Sequence, residues 1–148
     1  MGSTFLSLNY HAIFSTKDRR PFIEAEWQSR LHEYMAGTIV GLQGVPQCIG
    51  GVADHVHLLF GLKATHCLAD VMRDIKKASS VWVHDVIKIP EFSWQEGYAA
   101  FTVSPTAREA MSGYIENQES HHRRKTFREE LKELLILAEI EFEERFLD

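Results

Sequence analysis

Six segments of the sequence alternate between two hydrophobic patterns, and their order restricts the fold more than any other feature does. Residues 4–14, 45–52, 55–62 and 98–103 carry the apolar and β-favouring side chains of strands. After the first and the third of these segments, apolar residues recur every three or four positions, as in amphipathic helices. The order β-α-β-β-α-β predicts an α+β fold of the ferredoxin-like, split βαβ kind, in which helices pack on an antiparallel sheet.

The chain beyond the fourth strand predicts further helices. Thr106 and Glu109 form a capping-box pattern at the start of a helix that runs to about Gln118. An extra C-terminal helix is predicted over residues 125–138, and an acidic tail follows it, so that residues 125–148 form a C-terminal helix and tail.

Length and composition predict one cytoplasmic domain. The 148 residues suit a single domain over 1–148, and 45% of them are hydrophobic, which is enough for a core. No run approaches the roughly 20 apolar residues of a membrane span, and no secretory signal precedes the first strand. Cys48 and Cys67 are isolated from each other, so a reducing cytosol is expected in place of a disulfide framework.

The segment Asp54-His55-Val56-His57 brings together two potential metal ligands. Alternate side chains of a strand share a face, so His55 and His57 point the same way while Val56 points into the core. Two imidazoles on one strand make half of a site for a divalent metal. By itself the pattern also fits two ordinary hydrogen-bonded histidines.

A second pair of residues is spaced for a helix face. Tyr114 and Gln118 stand four positions apart and therefore project together from a helix. A phenol is a nucleophile when a nearby cation stabilises the charge that it attacks, and a glutamine oxygen is a ligand for a hard metal. The alternative is a core tyrosine beside a surface glutamine.

Taken together, these residues and their surroundings resemble the single-tyrosine HUH transposases of the insertion sequence 200/605 type. The name HUH stands for His-hydrophobe-His, which His55-Val56-His57 matches. The resemblance covers nearly the whole chain, and it includes the blocks YHAIFSTKDRRPFI, GGVADHVHLLFGL, IKKASSVWVH, FSWQEGYAAFTVS and SGYIENQESHHRRKTFREEL.

The resemblance implies a mechanism and a role for each matched residue. Tyr114 would be the nucleophile, and His55, His57 and Gln118 would bind Mg²⁺ or Mn²⁺. The substrate would be single-stranded DNA with a hairpin, cleaved and rejoined through a 5′-phosphotyrosine. The working unit would be a homodimer with composite active sites. No nucleotide cofactor is expected, since no phosphate-binding GxxxxGK[ST] motif occurs.

The net charge of −5 argues against nucleic acid, although binding needs only a local basic surface. The candidates for DNA-backbone contacts are Lys17, Arg19, Arg20, Arg73, Lys76 and Lys77.

Other functions remain open at this point. The chain could be a domesticated, REP-associated type of relative that binds or nicks hairpins without transposing. It could also be a metal-dependent hydrolase that uses the histidine pair with a carboxylate such as Asp54, or a structural domain. A covalent protein–DNA adduct would distinguish the transposase chemistry from a hydrolase.

Overall fold

An antiparallel four-stranded sheet forms the centre of the computed structural model, which describes residues 2–147; Met1 and Asp148, the last acidic residue of the tail, lie outside that range. The strands follow the order β2-β3-β1-β4, so each helical crossover joins two strands with a third strand between them. This is the predicted split βαβ arrangement, and the α+β prediction is confirmed. The strands are β1 (Asn9–Ser15), β2 (Val45–Val52), β3 (His55–Gly61) and β4 (Ala99–Val103).

Helices cover both faces of the sheet. Within residues 2–147 no helix is long and apolar enough to span a bilayer. The α-helices are α1 (Ala25–Gly41), α2 (Leu68–Trp82), α3 (Arg108–Glu116), α4 (Gln118–His121) and α5 (Phe127–Leu137). Short 3₁₀ turns cover Lys17–Arg19, Pro105–Ala107 and Glu144–Phe146, and a π-helical turn covers Val83–Ile87.

The alternation of side chains along β3 divides the core in two. Val56, Leu58 and Phe60 are fully buried in the cluster that α1 and α2 form on one face of the sheet. His55 and His57 point to the other face, as predicted from the strand period, and there they meet α4 and α5. The histidine pair is therefore enclosed between the sheet and the C-terminal helices.

Gly50 on β2 allows α3 to lie directly against the sheet. A Cβ atom at this position would stand 2.3 Å from the carbonyl oxygen of Ile115, far inside van der Waals contact. Only glycine, which has no Cβ, leaves room for that backbone. Because Ile115 follows Tyr114 directly, this close approach also sets the height of the predicted nucleophile above the sheet.

The first strand is shorter than predicted. It begins at Asn9 and not at residue 4, and Phe5 is 91% exposed. Asn9 pairs with Gly61 on one side and with Val103 on the other, and both are the last residues of their strands. Residues 2–8 thus have no neighbouring strand, so their β-favouring side chains cannot form a ladder.

The helix prediction after β4 was wrong in two respects. Thr106 lies within a 3₁₀ turn, where its hydroxyl pairs with that of Ser104, and α3 starts at Arg108 without a side-chain cap. The helix also ends at Glu116, because Asn117 adopts φ −94° and ψ 19°, and Gln118 opens α4.

The C-terminal helix is slightly shorter than the predicted range of 125–138. It starts with a capping box in which Thr126 and Glu129 satisfy each other's backbone N–H groups. The tail folds back onto this helix. Leu147 is buried, and the Glu144 carboxylate accepts a hydrogen bond from Lys132 Nζ at 2.6 Å.

Candidate active site

The two histidines of β3 form the floor of a buried polar cluster. Both side chains are 0% exposed. The His55 ring contacts Asp54 through Nδ1 (2.7 Å to Oδ1) and Gln118 through Nε2 (3.1 Å to Oε1). The His57 ring contacts His11 of β1, with 2.8 Å between His57 Nδ1 and His11 Nε2. Each ring is thus held at Nδ1 and presents Nε2 to the interior of the cluster.

The surroundings give the two histidines different affinities for a proton. Burial alone lowers the pKa of His55, but the carboxylates of Asp54 and Glu130 more than compensate and raise it to about 9. For His57 burial dominates and lowers the pKa to about 4, despite a contact with Glu130. Burial beside His57 likewise lowers the pKa of His11 to about 3. Near neutral pH, His57 and His11 are therefore neutral rings.

Tyr114 and Gln118 both reach the cluster, although Asn117 separates their helices. The Tyr114 hydroxyl donates a hydrogen bond to Glu130 Oε2, and its ring stands edge-on to that of His57 with 5.8 Å between centroids. Gln118 is 1% exposed and donates from Nε2 to Glu130 Oε2 at 3.0 Å. The four residues predicted to act together are thus brought together by one chain.

Three members of the cluster were not identified from the sequence, namely His11, His122 and Glu130. Glu130 on α5 is 1% exposed, and its Oε1 atom lies 2.9 Å from Nε2 of His122, 3.1 Å from that of His57 and 3.4 Å from that of His55. The sequence does hold a clue, since Glu130 falls on the apolar face of α5 between Phe127 and Leu131. A carboxylate in such a position requires buried partners.

These contacts determine the protonation states of Glu130 and Tyr114. Burial raises the pKa of the Glu130 carboxyl, but hydrogen bonds from His122, His55 and His57 outweigh burial and hold it well below its usual range. Burial and the nearby Glu130 raise the pKa of Tyr114 well above its usual value. Without a cation in the cluster, the carboxylate is therefore charged and the phenol keeps its proton.

The donor set fits a divalent metal. His55, His57, His122 and Glu130 each offer a ligand atom, and these atoms lie within 4.8 Å of one another. The Nδ1 contacts with Asp54 and His11 are of the kind that orients histidine ligands in metal sites. Gln118 adds a neutral oxygen next to His55. The cluster thus offers the nitrogen and oxygen ligands that such an ion requires.

The predicted DNA-contacting residues lie on different surfaces. Arg19 lines a cleft of about 780 Å³ beside the cluster, together with Asp54 and His122, and the segment Arg123–Lys125 forms part of the same lining. Lys17 belongs to the same 3₁₀ turn as Arg19, and the neighbouring Arg20 stacks its guanidinium 4.6 Å from the ring centroid of Phe22.

The remaining three basic candidates belong to α2, which packs on the face opposite the histidines. Arg73 is paired with Asp70 and Asp74 at 3.3 Å each. Lys76 donates to the carbonyls of Gln95 and Gly97, and burial lowers its pKa. Lys77 is exposed. The structure does not bring these three residues to the cluster.

Comparisons with known proteins identify the family and the fold. Residues 4–118 match the family model described as transposase IS200 like. A candidate transposase from Deinococcus radiodurans R1 has a similar structure, with 27% identity, a TM-score of 0.64, and coverage of 80% of this chain and 96% of that chain. A REP-associated tyrosine transposase bound to a REP hairpin has the same fold at 12% identity, with a TM-score of 0.61, covering 82% of this chain and 73% of that one. No curated protein is significantly similar to the sequence. The chain therefore belongs to the IS200-like transposase family.

Proposed function

We propose that the chain, as one HUH domain over residues 1–148, cleaves and rejoins single-stranded DNA through a covalent bond to Tyr114. The observation that carries this proposal is the hydrogen-bonded cluster in which the Tyr114 hydroxyl lies beside two fully buried histidines on one strand. A phenol enclosed with imidazoles and a carboxylate has an environment that a structural tyrosine does not need.

In the proposed reaction, the Tyr114 oxygen attacks the phosphorus of a DNA phosphate. The new O–P bond forms a 5′-phosphotyrosine and the bond to the 3′ oxygen breaks. The proton that the Tyr114 hydroxyl loses is balanced by the one that the leaving oxygen gains, so that a 3′-OH is released. A second 3′-OH then attacks the phosphotyrosine and restores the tyrosine, which conserves the bond energy without ATP. Mg²⁺ or Mn²⁺ bound by His55, His57 and Gln118 would polarise the phosphate and orient it. The contacts of the two rings with Asp54 and His11 support this role by holding Nε2 toward the cluster.

The cleft beside the cluster is the path that we propose for the DNA strand. Its lining includes Arg19, Arg123, Arg124 and Lys125, and positive side chains of this kind bind the phosphate backbone. The basic residues of α2, predicted from the sequence, form a second candidate surface on the opposite side of the sheet. The REP-associated neighbour was solved with a hairpin, so a single strand next to a hairpin is the substrate form that we propose.

Two arrangements of the working unit are compatible with this chemistry. One is a site within a single chain, which the contact between Tyr114 and Glu130 supports. The other is the homodimer with composite sites that the family resemblance implies, in which the tyrosine helix serves the histidines of a partner. A domesticated role in hairpin binding or nicking would use the same residues with a different biological outcome.

The test is formation of a covalent adduct. Labelled hairpin DNA from the flanks of the gene is incubated with the protein and Mn²⁺, and the mixture is separated on a denaturing gel. Wild-type protein should form an adduct that EDTA abolishes. Tyr114→Phe should form none yet bind the hairpin with an affinity within about threefold, which is under ~1 kcal/mol, since the ring contacts with His57 remain.

Tyr98→Phe removes a phenol outside the cluster and should behave like the wild type. An adduct on the Tyr114→Phe variant would identify another nucleophile. Cleavage by the wild type without any adduct would indicate a hydrolase.

A further inference from the structure

Two residues of the cluster have no part in the proposed reaction. His122 is a half-buried histidine in the segment after α4, and Glu130 is a buried carboxylate on α5. A single oxygen of Glu130 is approached by the Nε2 atoms of three histidines at 2.9, 3.1 and 3.4 Å. Three ring nitrogens and one carboxylate oxygen thus lie close to one another around one small space.

The hydrogen-bond partners of His55 indicate where a positive charge is needed in this space. Asp54 is an acceptor, so the Nδ1 atom of His55 carries the proton of their 2.7 Å contact. The Nε2 atom faces two further acceptors, Gln118 Oε1 at 3.1 Å and Glu130 Oε1 at 3.4 Å. A positive charge is therefore needed among the three atoms, and a bound cation would take the place of the proton that Nε2 otherwise carries.

The Nε2 atom of His57 is in a similar position. The Nδ1 atom of this ring lies 2.8 Å from His11 Nε2, so that one ring donates to the other, and its Nε2 atom lies 3.1 Å from the same oxygen of Glu130. The Nε2 atoms of both β3 rings and the carboxylate thus converge on one position, where a bound cation would replace the ring protons.

We propose that His122 and Glu130 are direct metal ligands in the DNA-free protein, where they complete with His55 and His57 a site of three histidines and one carboxylate. The four donor atoms lie within 4.8 Å of one another, so modest side-chain movements bring them to roughly 2.1 Å from one ion. Gln118 donates from Nε2 to Glu130 Oε2 at 3.0 Å and so orients the carboxylate. The role of the metal in this inference rests on the proposed function, whereas the binding of the metal does not.

The ligand set also selects the class of metal. Imidazole nitrogen favours first-row transition metals, whereas Mg²⁺ prefers carboxylates, carbonyls and water. A site with three imidazoles therefore takes a divalent transition-metal ion such as Mn²⁺ or Co²⁺ in preference to Mg²⁺. Its affinity follows the usual order, in which Co²⁺ binds more tightly than Mn²⁺.

Metal titration of the DNA-free protein tests the ligands. Binding of Co²⁺ is followed by visible absorption, and binding of Mn²⁺ by the loss of the free-ion electron paramagnetic resonance signal. Glu130→Gln and His122→Ala should each weaken binding by at least about tenfold. Glu133→Gln, on the same helix but outside the cluster, and His66→Ala, in the loop before α2, should leave it unchanged. Millimolar Mg²⁺ should not displace Co²⁺ from the wild type.

A measurement on the wild type avoids any dependence on the folding of variants. X-ray absorption of the Co²⁺-loaded protein counts coordinated imidazoles, and we expect three. Two imidazoles, or wild-type affinity in both Glu130→Gln and His122→Ala, would overturn the inference. A wild-type protein that binds the ion through three imidazoles yet forms no DNA adduct would refute the proposed function and leave this inference intact.

Discussion

At the scale of single residues, the site depends on how two imidazole rings are held. Asp54 engages Nδ1 of His55, and His11 engages Nδ1 of His57. Partners of this kind fix the tautomer and the direction of a ligand ring. His11 is therefore a positioning residue, since it acts on the cluster through His57.

Replacing His11 with Leu should weaken Mn²⁺ binding by about 10- to 100-fold, because His57 loses the partner of its Nδ1 atom. Equilibrium binding of Mn²⁺ to the DNA-free protein measures this loss. His11→Gln supplies a new polar partner and should recover part of the affinity, a recovery that lost packing alone would not produce. Wild-type affinity in His11→Leu would mean that His57 needs no such partner.

The residues of the cluster differ in how far the sequence alone identifies them. His55 and His57 could be assigned to one face because the period of a strand is a local property. Glu130 could not be assigned to the same site, since it is 73 positions from His57 and only the packing of α5 on the sheet joins them. Its place on an apolar helix face indicates burial but not the identity of its partners.

At the scale of elements, the break at Asn117 and the start of α5 bring distant groups into one cluster. Tyr114 belongs to α3, Gln118 to α4 and Glu130 to α5, so three helices supply the side chains above the histidine strand. The helix pattern of the sequence predicted one continuous helix from Tyr114 to Gln118. That period cannot reveal where a backbone leaves helical geometry. The capping-box pattern is not decisive either, since Thr126 caps α5 whereas Thr106 does not cap α3.

The two basic surfaces can be compared through the salt dependence of DNA binding. On a Tyr114→Phe background, which prevents cleavage, Arg123 and Arg124 are replaced with Gln in one variant and Arg73 and Lys77 in another. Each lost phosphate contact flattens the slope of log affinity against log salt by about 0.7 for a single strand. We expect the first variant to flatten the slope, because these arginines line the cleft beside the cluster. The second variant should keep the original slope.

The opposite result, a change of slope only in the α2 variant, would move the DNA to the other face of the sheet. Equal changes in both variants would show that the strand contacts both surfaces.

At the scale of the whole molecule, the side chains of Tyr114 and Gln118 meet those of His55 and His57 within one chain. Helices cover both faces of the sheet, and the tyrosine helix packs against its own β2 at Gly50. The α+β class and the split βαβ order were predictable from the sequence, because each followed from local periods and their order along the chain. Whether the tyrosine and the histidines of one site belong to the same chain depends on contacts between elements. No local sequence pattern encodes these contacts.

Mixing two inactive variants tests whether the site lies within one chain or is shared by two. Tyr114→Phe is combined with a His55→Ala, His57→Ala double variant, and adduct formation is measured on a denaturing gel. The contacts within the chain lead us to expect no adduct, since each chain then lacks an essential group. Mixing each variant with wild-type protein controls for inhibition. Recovery of the adduct would establish a homodimer with composite active sites.

The family match ends at Gln118, whereas the cluster continues to His122 and Glu130. Tyr114 and the histidine pair thus lie inside the segment that the family model matches, and the buried carboxylate of Glu130 lies after it. Substitutions confined to the segment after Gln118 would therefore alter the choice of ion in the proposed site and leave His55, His57 and Tyr114 as they are.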